Sequence, residues 1–263
     1  MSPRREVSAA DGSRISYEVA GVGPYLLIVP ALLQSAALWR EMGYVDRLAT
    51  DHRVIVMDPL GHGESDRPHD PAVYGVEQAV GHVIAVLENE GIERATLWGF
   101  GAGAETVVDT ARRRPDVVDA VVIGGTFLGD FAEGMREIGG DLTELTDKCA
   151  SALEAGDWDA YFALMQDPVP LDVRRDRADA NDPAAIAAVL RSDLRRARGF
   201  LKPSVPTFAY WAEDAFIHPH NRELVERLPI EWMVVPGLVS DAPELVDAVV
   251  TRVRRFLESA VRS

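Results

Sequence analysis

Several features are scarce in this chain of 263 residues, and each scarcity excludes a class of protein. The single cysteine, Cys149, rules out an internal disulfide and is typical of a reducing compartment. The longest apolar run, residues 25–33, is too short to cross a bilayer, and residues 1–6 lack the apolar core of a signal peptide. We therefore predict a cytoplasmic protein that does not span a membrane.

Positive charge is scarce as well. The chain has 27 basic residues against 42 acidic ones, a formal net charge of −15, and lysine occurs only at Lys148 and Lys202. An acidic surface repels the phosphate backbone of nucleic acids and anionic lipid head groups, so neither is expected as a partner. Apolar residues make up 47% of the chain, enough for a folded core, and the composition leaves a homo-oligomer open.

What the chain does have is a regular alternation of short apolar runs and amphipathic stretches, which predict strands and helices respectively. Strands are predicted at residues 7–9, 15–19, 25–29, 53–57, 95–98, 120–123, 207–211 and 231–235. Helices are predicted at residues 38–49, 76–90, 102–114, 219–228 and 243–261. This alternation predicts an α/β fold with a mostly parallel central sheet and helices on both faces.

The strand rhythm stops after residues 124–125, Gly-Gly, for about eighty residues. Residues 127–202 contain helical segments, predicted at 142–154, 158–165 and 183–198. We interpret this stretch as a helical lid inserted after the sixth strand. The α/β core domain would then comprise residues 1–126 and 203–263.

The rest of the chain is organised around residues 95–105, ATLWGFGAGAE. An apolar strand runs into a glycine-rich corner, and a helix follows. This geometry exposes one residue at the top of a parallel sheet, beside the free N–H groups of a helix start. In the nucleophile elbow, Gly-x-Ser-x-Gly, that residue is an attacking serine, whereas here it is Gly101.

The same corner, Gly99-x-Gly101-x-x-Ala104, also matches a dinucleotide fingerprint. That motif normally opens its domain, yet at least four strand-like runs precede it here, and no acid follows the next strand. The pair His218-x-His220 lacks a third ligand nearby, so no metal is predicted either. We expect no cofactor.

The element order and two motifs resemble the α/β-hydrolase fold. Residues 58–68, DPLGHGESDRP, look like that family's loop after the fourth strand, and residues 99–103 look like its elbow. The resemblance covers nearly the whole chain. It implies a site at the strand ends, with the backbone N–H groups of Leu32 and Ala102 placed to bind an oxyanion.

Residue by residue, the family's catalytic triad is not matched. The nucleophile position holds Gly101, the acid position Ala215 with Asp214 beside it, and the histidine position Ser240. The His-Gly after the third strand is Pro-Ala at residues 30–31. Losing one triad member costs roughly four to six decades of turnover, which argues against ordinary Ser-His-Asp hydrolysis. Glycine adopts the positive φ of the elbow at little cost, and we expect Gly101 to open space above the turn.

Other groups become candidates for the chemistry. Asp214 and His218, four residues apart, could form a carboxylate–imidazole contact that works as acid and base, unless His218 and His220 merely open the following helix. Candidate pocket residues are Phe100, Trp39 and Phe127. Candidate displaced nucleophiles are Ser35, Ser240 and Cys149; the two serines would otherwise cap helices, and the cysteine would otherwise be a small apolar group of the insertion. The remaining histidines are interpreted as structural or surface residues: His52, His62, His69 and His82.

These observations leave three hypotheses. The one we favour is a non-hydrolytic enzyme that performs a lyase, isomerase or cyclase step on a small apolar carbonyl compound, using the oxyanion site and the shape of the pocket. The second is a catalytically silent binding or regulatory protein that kept the pocket. The third is a hydrolase with a displaced nucleophile.

Overall fold

One eight-stranded sheet forms the centre of the chain. A computed structural model describes residues 4–129, 136, 140–165, 171–192, 204–215, 217–236 and 243–260. The strands are β1 (Arg4–Ser8), β2 (Arg14–Ala20), β3 (Tyr25–Val29), β4 (Arg53–Met57), β5 (Ala95–Phe100), β6 (Val118–Gly124), β7 (Thr207–Ala212) and β8 (Glu231–Val235). Their order in the sheet is β1-β2-β4-β3-β5-β6-β7-β8. Strand β2 is antiparallel to both of its neighbours, and all pairs from β4 to β8 are parallel.

The helices lie between these strands in chain order. They are α1 (Ala36–Glu41), α2 (Tyr44–Leu48), α3 (Val76–Asn89), α4 (Ala102–Arg113), α5 (Leu142–Glu154), α6 (Trp158–Met165), α7 (Leu171–Ala180), α8 (Pro183–Arg191), α9 (His218–Val225) and α10 (Pro243–Ala260). Two short 3₁₀ turns, Pro71–Val73 and Pro115–Val117, precede α3 and β6. No described helix is both long and apolar enough to cross a membrane.

The apolar runs of the parallel strands are covered on both faces, as continuous hydrophobic strands require. Helices α3 and α4 contribute to the core on one face of the sheet, and α1, α2 and α10 to the core on the other. A third cluster holds the helical insertion together and includes Cys149, Phe162 and Ile186. Leu33, from the loop after β3, is buried in this third cluster and thereby ties the insertion to the sheet.

The predicted fold class is confirmed, with the turn after β5 and the helical insertion after β6. The helix predicted at residues 38–49 is instead two helices, because the chain turns at Gly43 with φ 81°. Helix α7 was not predicted, since its sequence has too few apolar residues to show a periodic face. Helix α8 ends at Arg191. The rest of the predicted 183–198 helix, from residue 193, lies outside the described residues.

Candidate active site

The turn between β5 and α4 is centred on Gly101, whose φ of 54° and ψ of −120° lie in a region that L-residues rarely adopt. The turn is held by two backbone hydrogen bonds. The Gly101 N–H donates to the Gly124 carbonyl (2.9 Å), and the Ala104 N–H donates to the Gly101 carbonyl (3.1 Å). This is the strand–turn–helix geometry predicted from the sequence, in a conformation that would strain a side-chain-bearing residue and that glycine adopts at little cost.

The space beside Gly101 is not open, contrary to the sequence-based expectation. A Cβ added to Gly101 would lie 2.9 Å from the Ala31 Cβ, closer than real Cβ contacts. At Gly103 a Cβ would meet the Val29 carbonyl oxygen at 2.0 Å, so the loop after β3 packs directly on the start of α4. Ala31 therefore occupies the volume that the Cβ of an elbow nucleophile would need.

Residues 30–35, which follow β3, are fixed from several directions. The Gln34 Oε1 accepts hydrogen bonds from the Trp39 Nε1 (3.0 Å) and the Ala31 N–H (3.3 Å). Leu33 has a φ of 63°, the only positive φ among the described non-glycine residues. The Leu32 N–H, predicted to bind an oxyanion, is thus carried on a short and constrained loop.

The loop after β4 is organised by Asp58, which is 1% exposed. Its carboxylate accepts hydrogen bonds from the N–H groups of Ala36 (2.7 Å) and Glu64 (3.0 Å). Burial nevertheless raises the pKa of Asp58 to about 6. At Gly63, with φ 51°, a Cβ would overlap this carboxylate, so only glycine fits there. The motif DPLGHGESDRP is thereby explained as a structural support for the loops around Gly101.

One side of the Gly101 turn is filled by aromatic rings. Phe100 stacks against Tyr210 (6.2 Å between ring centroids) and meets Trp39 edge-on (6.3 Å). Trp39 is 1% exposed and also contacts Trp98. The structure places Trp39, predicted to line a pocket, inside the core. Phe100 packs against that core but is only partly buried, and its role as a pocket wall stays a prediction.

The structure does not bring Asp214 and His218 together. Asp214 is exposed in the turn after β7, whereas the His218 Nδ1 accepts a hydrogen bond from the Trp211 Nε1 (3.0 Å). Because an indole N–H can only donate, the Nδ1 of His218 is unprotonated and a neutral ring carries its proton on Nε2. The predicted contact between the two side chains is not among the hydrogen bonds of the described residues, and the acid/base role of the pair stays a prediction.

Two of the other predicted site residues, Phe127 and Ser35, have identifiable surroundings. The Phe127 ring lies 4.2 Å from the His220 ring, next to a buried residue that sequence reasoning missed, Asn221. The Asn221 amide binds the backbone of the loop after β6 at both of its ends, accepting from the Leu128 N–H and donating to the Thr126 carbonyl (both 2.9 Å). Ser35 caps α1 by accepting from the Leu38 N–H (3.3 Å). Ser240 lies outside the described residues.

The other side of the Gly101 turn contains a cavity of about 50 Å³. Leu32 and Ala102, the two predicted oxyanion-binding residues, both line it, as does His82 of α3. His82 is 3% exposed and its Nε2 lies 2.9 Å from the Asp11 Oδ2. The interpretation of His82 as a helix-surface residue is therefore wrong. Its face of α3 is covered by the β1–β2 turn, a long-range contact that no local pattern could indicate.

Among the described residues no group of three or more His, Cys, Asp or Glu side chains is arranged to hold a metal ion. The arrangement around Gly101 instead offers main-chain N–H groups, mostly apolar walls and the buried imidazole of His82, whose carboxylate partner Asp11 lies in an exposed turn. Such a set can orient and polarise a small molecule and exchange protons with it.

The sequence of this chain is similar to a family model and to several known proteins. The family model described as "alpha/beta hydrolase fold" matches residues 24–138. An uncharacterized protein of Mycobacterium tuberculosis is 30% identical over 122 residues, 46% of this chain and 34% of that protein. The 2-hydroxymuconate semialdehyde hydrolase of Pseudomonas sp. (strain CF600) is 33% identical over 139 residues, 52% of this chain and 48% of that enzyme. The matched stretches thus span about a third to a half of these relatives.

The solved structures extend the likeness to almost the whole chain. The bottromycin epimerase BotH, in complex with bottromycin A2, superimposes with a TM-score of 0.76 at 22% identity, covering 95% of this chain and 97% of that one. At that identity the likeness concerns the fold. Together with the strand order described above and the family model, which matches less than half of the chain, it shows that the chain has the α/β-hydrolase fold.

Proposed function

We propose that this protein is a non-hydrolytic enzyme that carries out an isomerase-, lyase- or cyclase-type step on a small, largely apolar carbonyl compound. The observation that carries the proposal is the pairing of Gly101 with Ala31. The first removes the attacking side chain, and the second fills the volume its Cβ would need (2.9 Å). Restoring a nucleophile would therefore take at least two changes, which argues against a site built for acyl-enzyme chemistry.

The groups that remain around Gly101, two backbone amides and the adjacent cavity, support a catalytic role. The amides of Leu32 and Ala102 are candidate donors to a developing enolate oxygen, a role in which backbone N–H groups need no further rearrangement. The surface of the cavity beside them is mostly apolar, with a few polar side chains that include His82, which fits a largely apolar substrate with one polar group. One structural neighbour, an epimerase, is a non-hydrolytic enzyme, whereas the relative named for a semialdehyde substrate is a hydrolase.

Two assays on the purified protein test the proposal together. Small aldehydes and ketones in D₂O are followed by mass spectrometry for protein-dependent deuterium uptake or conversion, and nitrophenyl esters are followed for hydrolysis. We expect turnover in the first assay and none in the second. Binding of a co-purified molecule without any turnover would favour the silent binding protein. Ester hydrolysis with an acyl adduct on Ser35 or Ser240 would instead establish a displaced nucleophile.

A further inference from the structure

The proposed function leaves one feature unused, the buried imidazole of His82 with its carboxylate partner Asp11. We propose that His82, oriented by Asp11, is the proton-transferring group of this protein, and that the cavity beside it takes the carbonyl end of a short-chain ketone or aldehyde. This inference rests on the proposed function, and it names the acid/base residue and the place where the substrate reacts.

The cavity has the position that this role requires. It lies between α3 and α4 and beneath the loops that follow β3 and β4, so that it borders Leu32 and Ala102 on one side and His82 on another. A single water needs about 10–15 Å³, and a volume of about 50 Å³ therefore holds a group of roughly four or five non-hydrogen atoms. That is the size of a carbonyl group with its two neighbouring carbons.

His82 has the orientation and charge state of a base. Asp11 is fixed by its own turn, because its Oδ1 accepts from the Ser13 N–H (2.9 Å) while its Oδ2 faces the His82 Nε2 (2.9 Å). A carboxylate can only accept, so the Nε2 of His82 carries the proton and its Nδ1 is left as an acceptor in the neutral ring. Burial lowers the pKa of His82, which keeps the ring neutral.

Asp11 is ionised in this arrangement. Partial burial works to raise the pKa of Asp11, but hydrogen bonds from Ser13 and His82 outweigh it and the net shift is downward. Tyr74 also lines the cavity, but its hydroxyl already donates a hydrogen bond to the Pro68 carbonyl (2.6 Å). The pair thus matches the base-and-orienter arrangement of acid/base enzymes, formed here on α3 and the β1–β2 turn.

The step can be written with its protons balanced. The Nδ1 of His82 takes a proton from the carbon next to the carbonyl. The electrons of that C–H bond form a C=C bond, and the carbonyl oxygen becomes an enolate held by the Leu32 and Ala102 amides. The imidazolium is stabilised by Asp11 and returns the proton to the same carbon or to another one, so no oxidant or co-reactant is consumed.

The test measures deuterium uptake next to the carbonyl of butanone in D₂O by proton NMR. We expect His82→Gln, whose amide can still donate to Asp11, to slow the protein-dependent exchange by about 10²- to 10⁴-fold. Asp11→Asn should slow it less, because the base remains. The matched control is His69→Gln, since the His69 Nε2 lies at the same distance (2.9 Å) from the Asp182 Oδ2 but outside this cavity, and it should leave exchange unchanged.

A second variant and a binding readout guard against a merely structural effect. Ala79→Leu adds carbons at the cavity wall without touching the imidazole, and it should abolish exchange while the protein stays folded by circular dichroism. Butanone should shift the ¹⁵N resonance of the His82 Nδ1 in the wild type and not in Ala79→Leu. Loss of exchange in His82→Gln without any such shift would mean a structural role and overturn the inference.

The two proposals fail in distinguishable ways. If the wild type exchanges butanone protons and His82→Gln does so equally fast, His82 is not the base while the proposed function stands. Exchange that is lost in His218→Gln and kept in His82→Gln would transfer the role to His218. No exchange above buffer with the wild type contradicts this inference, and a negative result across all aldehydes and ketones contradicts the proposed function as well.

Discussion

The two sides of the Gly101 turn are packed differently. On one side Trp39, Trp98, Phe100 and Tyr210 form a continuous aromatic cluster, in which the Trp98 indole donates to the Tyr210 hydroxyl (3.2 Å). On the other side lies a cavity bordered by buried polar groups, among them His82. The difference indicates that the aromatic side holds the turn in place, whereas the cavity side has room and chemistry for a small molecule.

The largest expected effect tests the packing of the aromatic side. Trp98→Ala should lower the free energy of unfolding by about 3–5 kcal/mol, because it removes a fully buried indole from between three other rings. Val189→Ala, at the cavity wall, should cost only about 1 kcal/mol, since part of its surface already faces empty space. Urea denaturation of the wild type and the two variants measures both changes in the free energy of unfolding. A cost of about 2–3 kcal/mol for Val189→Ala, as for a fully packed aliphatic side chain, would mean that the cavity side is packed as closely as the aromatic side.

The second prediction concerns Asp58, whose loop borders the cavity. A carboxyl whose pKa is raised on folding contributes stability below its unfolded pKa, near 3.8, and loses that stability as pH rises through the folded pKa of about 6. Over this window the wild type should lose about 2–3 kcal/mol relative to Asp58→Asn. Urea denaturation of both proteins at several pH values measures the difference. If the free energies of unfolding of the two proteins changed in parallel with pH, Asp58 would have the same pKa in the folded and unfolded states.

The third prediction tests the pairing of Gly101 with Ala31. Gly101→Ser should destabilise the protein by about 1–3 kcal/mol, because a positive φ and a 2.9 Å contact with the Ala31 Cβ act together. Ala31→Gly in the same chain should recover about half of that loss or more, which a double-mutant cycle detects. Strictly additive effects would show that the two positions do not share this volume. Neither variant should hydrolyse nitrophenyl esters.

The smallest expected change in stability is at Leu33, which links the helical insertion to the loop that carries the Leu32 amide. Both Leu33→Ala and Leu33→Gly remove its packing in the insertion. Glycine is normally the less stable of the two, but at a φ of 63° it should be more stable than alanine by about 1 kcal/mol. Thermal unfolding of the two variants measures which of them is more stable. If the alanine variant were the more stable, the loop would not hold Leu33 in this conformation.

Local patterns predict much of the fold. The strands at residues 25–29, 53–57 and 231–235 were predicted with the bounds they have in the structure, because their apolar runs are bounded by turn residues. Helices with an apolar face were found, and α7, which is mostly charged, was missed. The Gly101 turn was predictable as well, since glycines and an adjoining helix start are local signals.

The candidate site was predictable only in part. The positions of Leu32, Gly101 and Ala102 follow from the order of elements: Leu32 lies in the loop after β3, Gly101 in the turn after β5 and Ala102 at the start of α4. Their oxyanion-binding role stays a prediction. The sequence gives no sign that His82 and Asp11 meet, because they are 71 residues apart. Nor does it show that Ala31 occupies the volume beside Gly101, which depends on how closely two loops approach.

The amino-acid sequence by itself determined the alternating α/β architecture, the strained turn and the absence of a side chain at its tip. Each of these depends on neighbours within one or two helical turns, where residue type acts directly on the backbone. Only the tertiary structure decided which side of the turn is filled and which is hollow, and which histidine is buried beside a carboxylate. Those features arise from contacts between elements distant in the chain, and their energies depend on distances of a few ångströms that no local pattern contains.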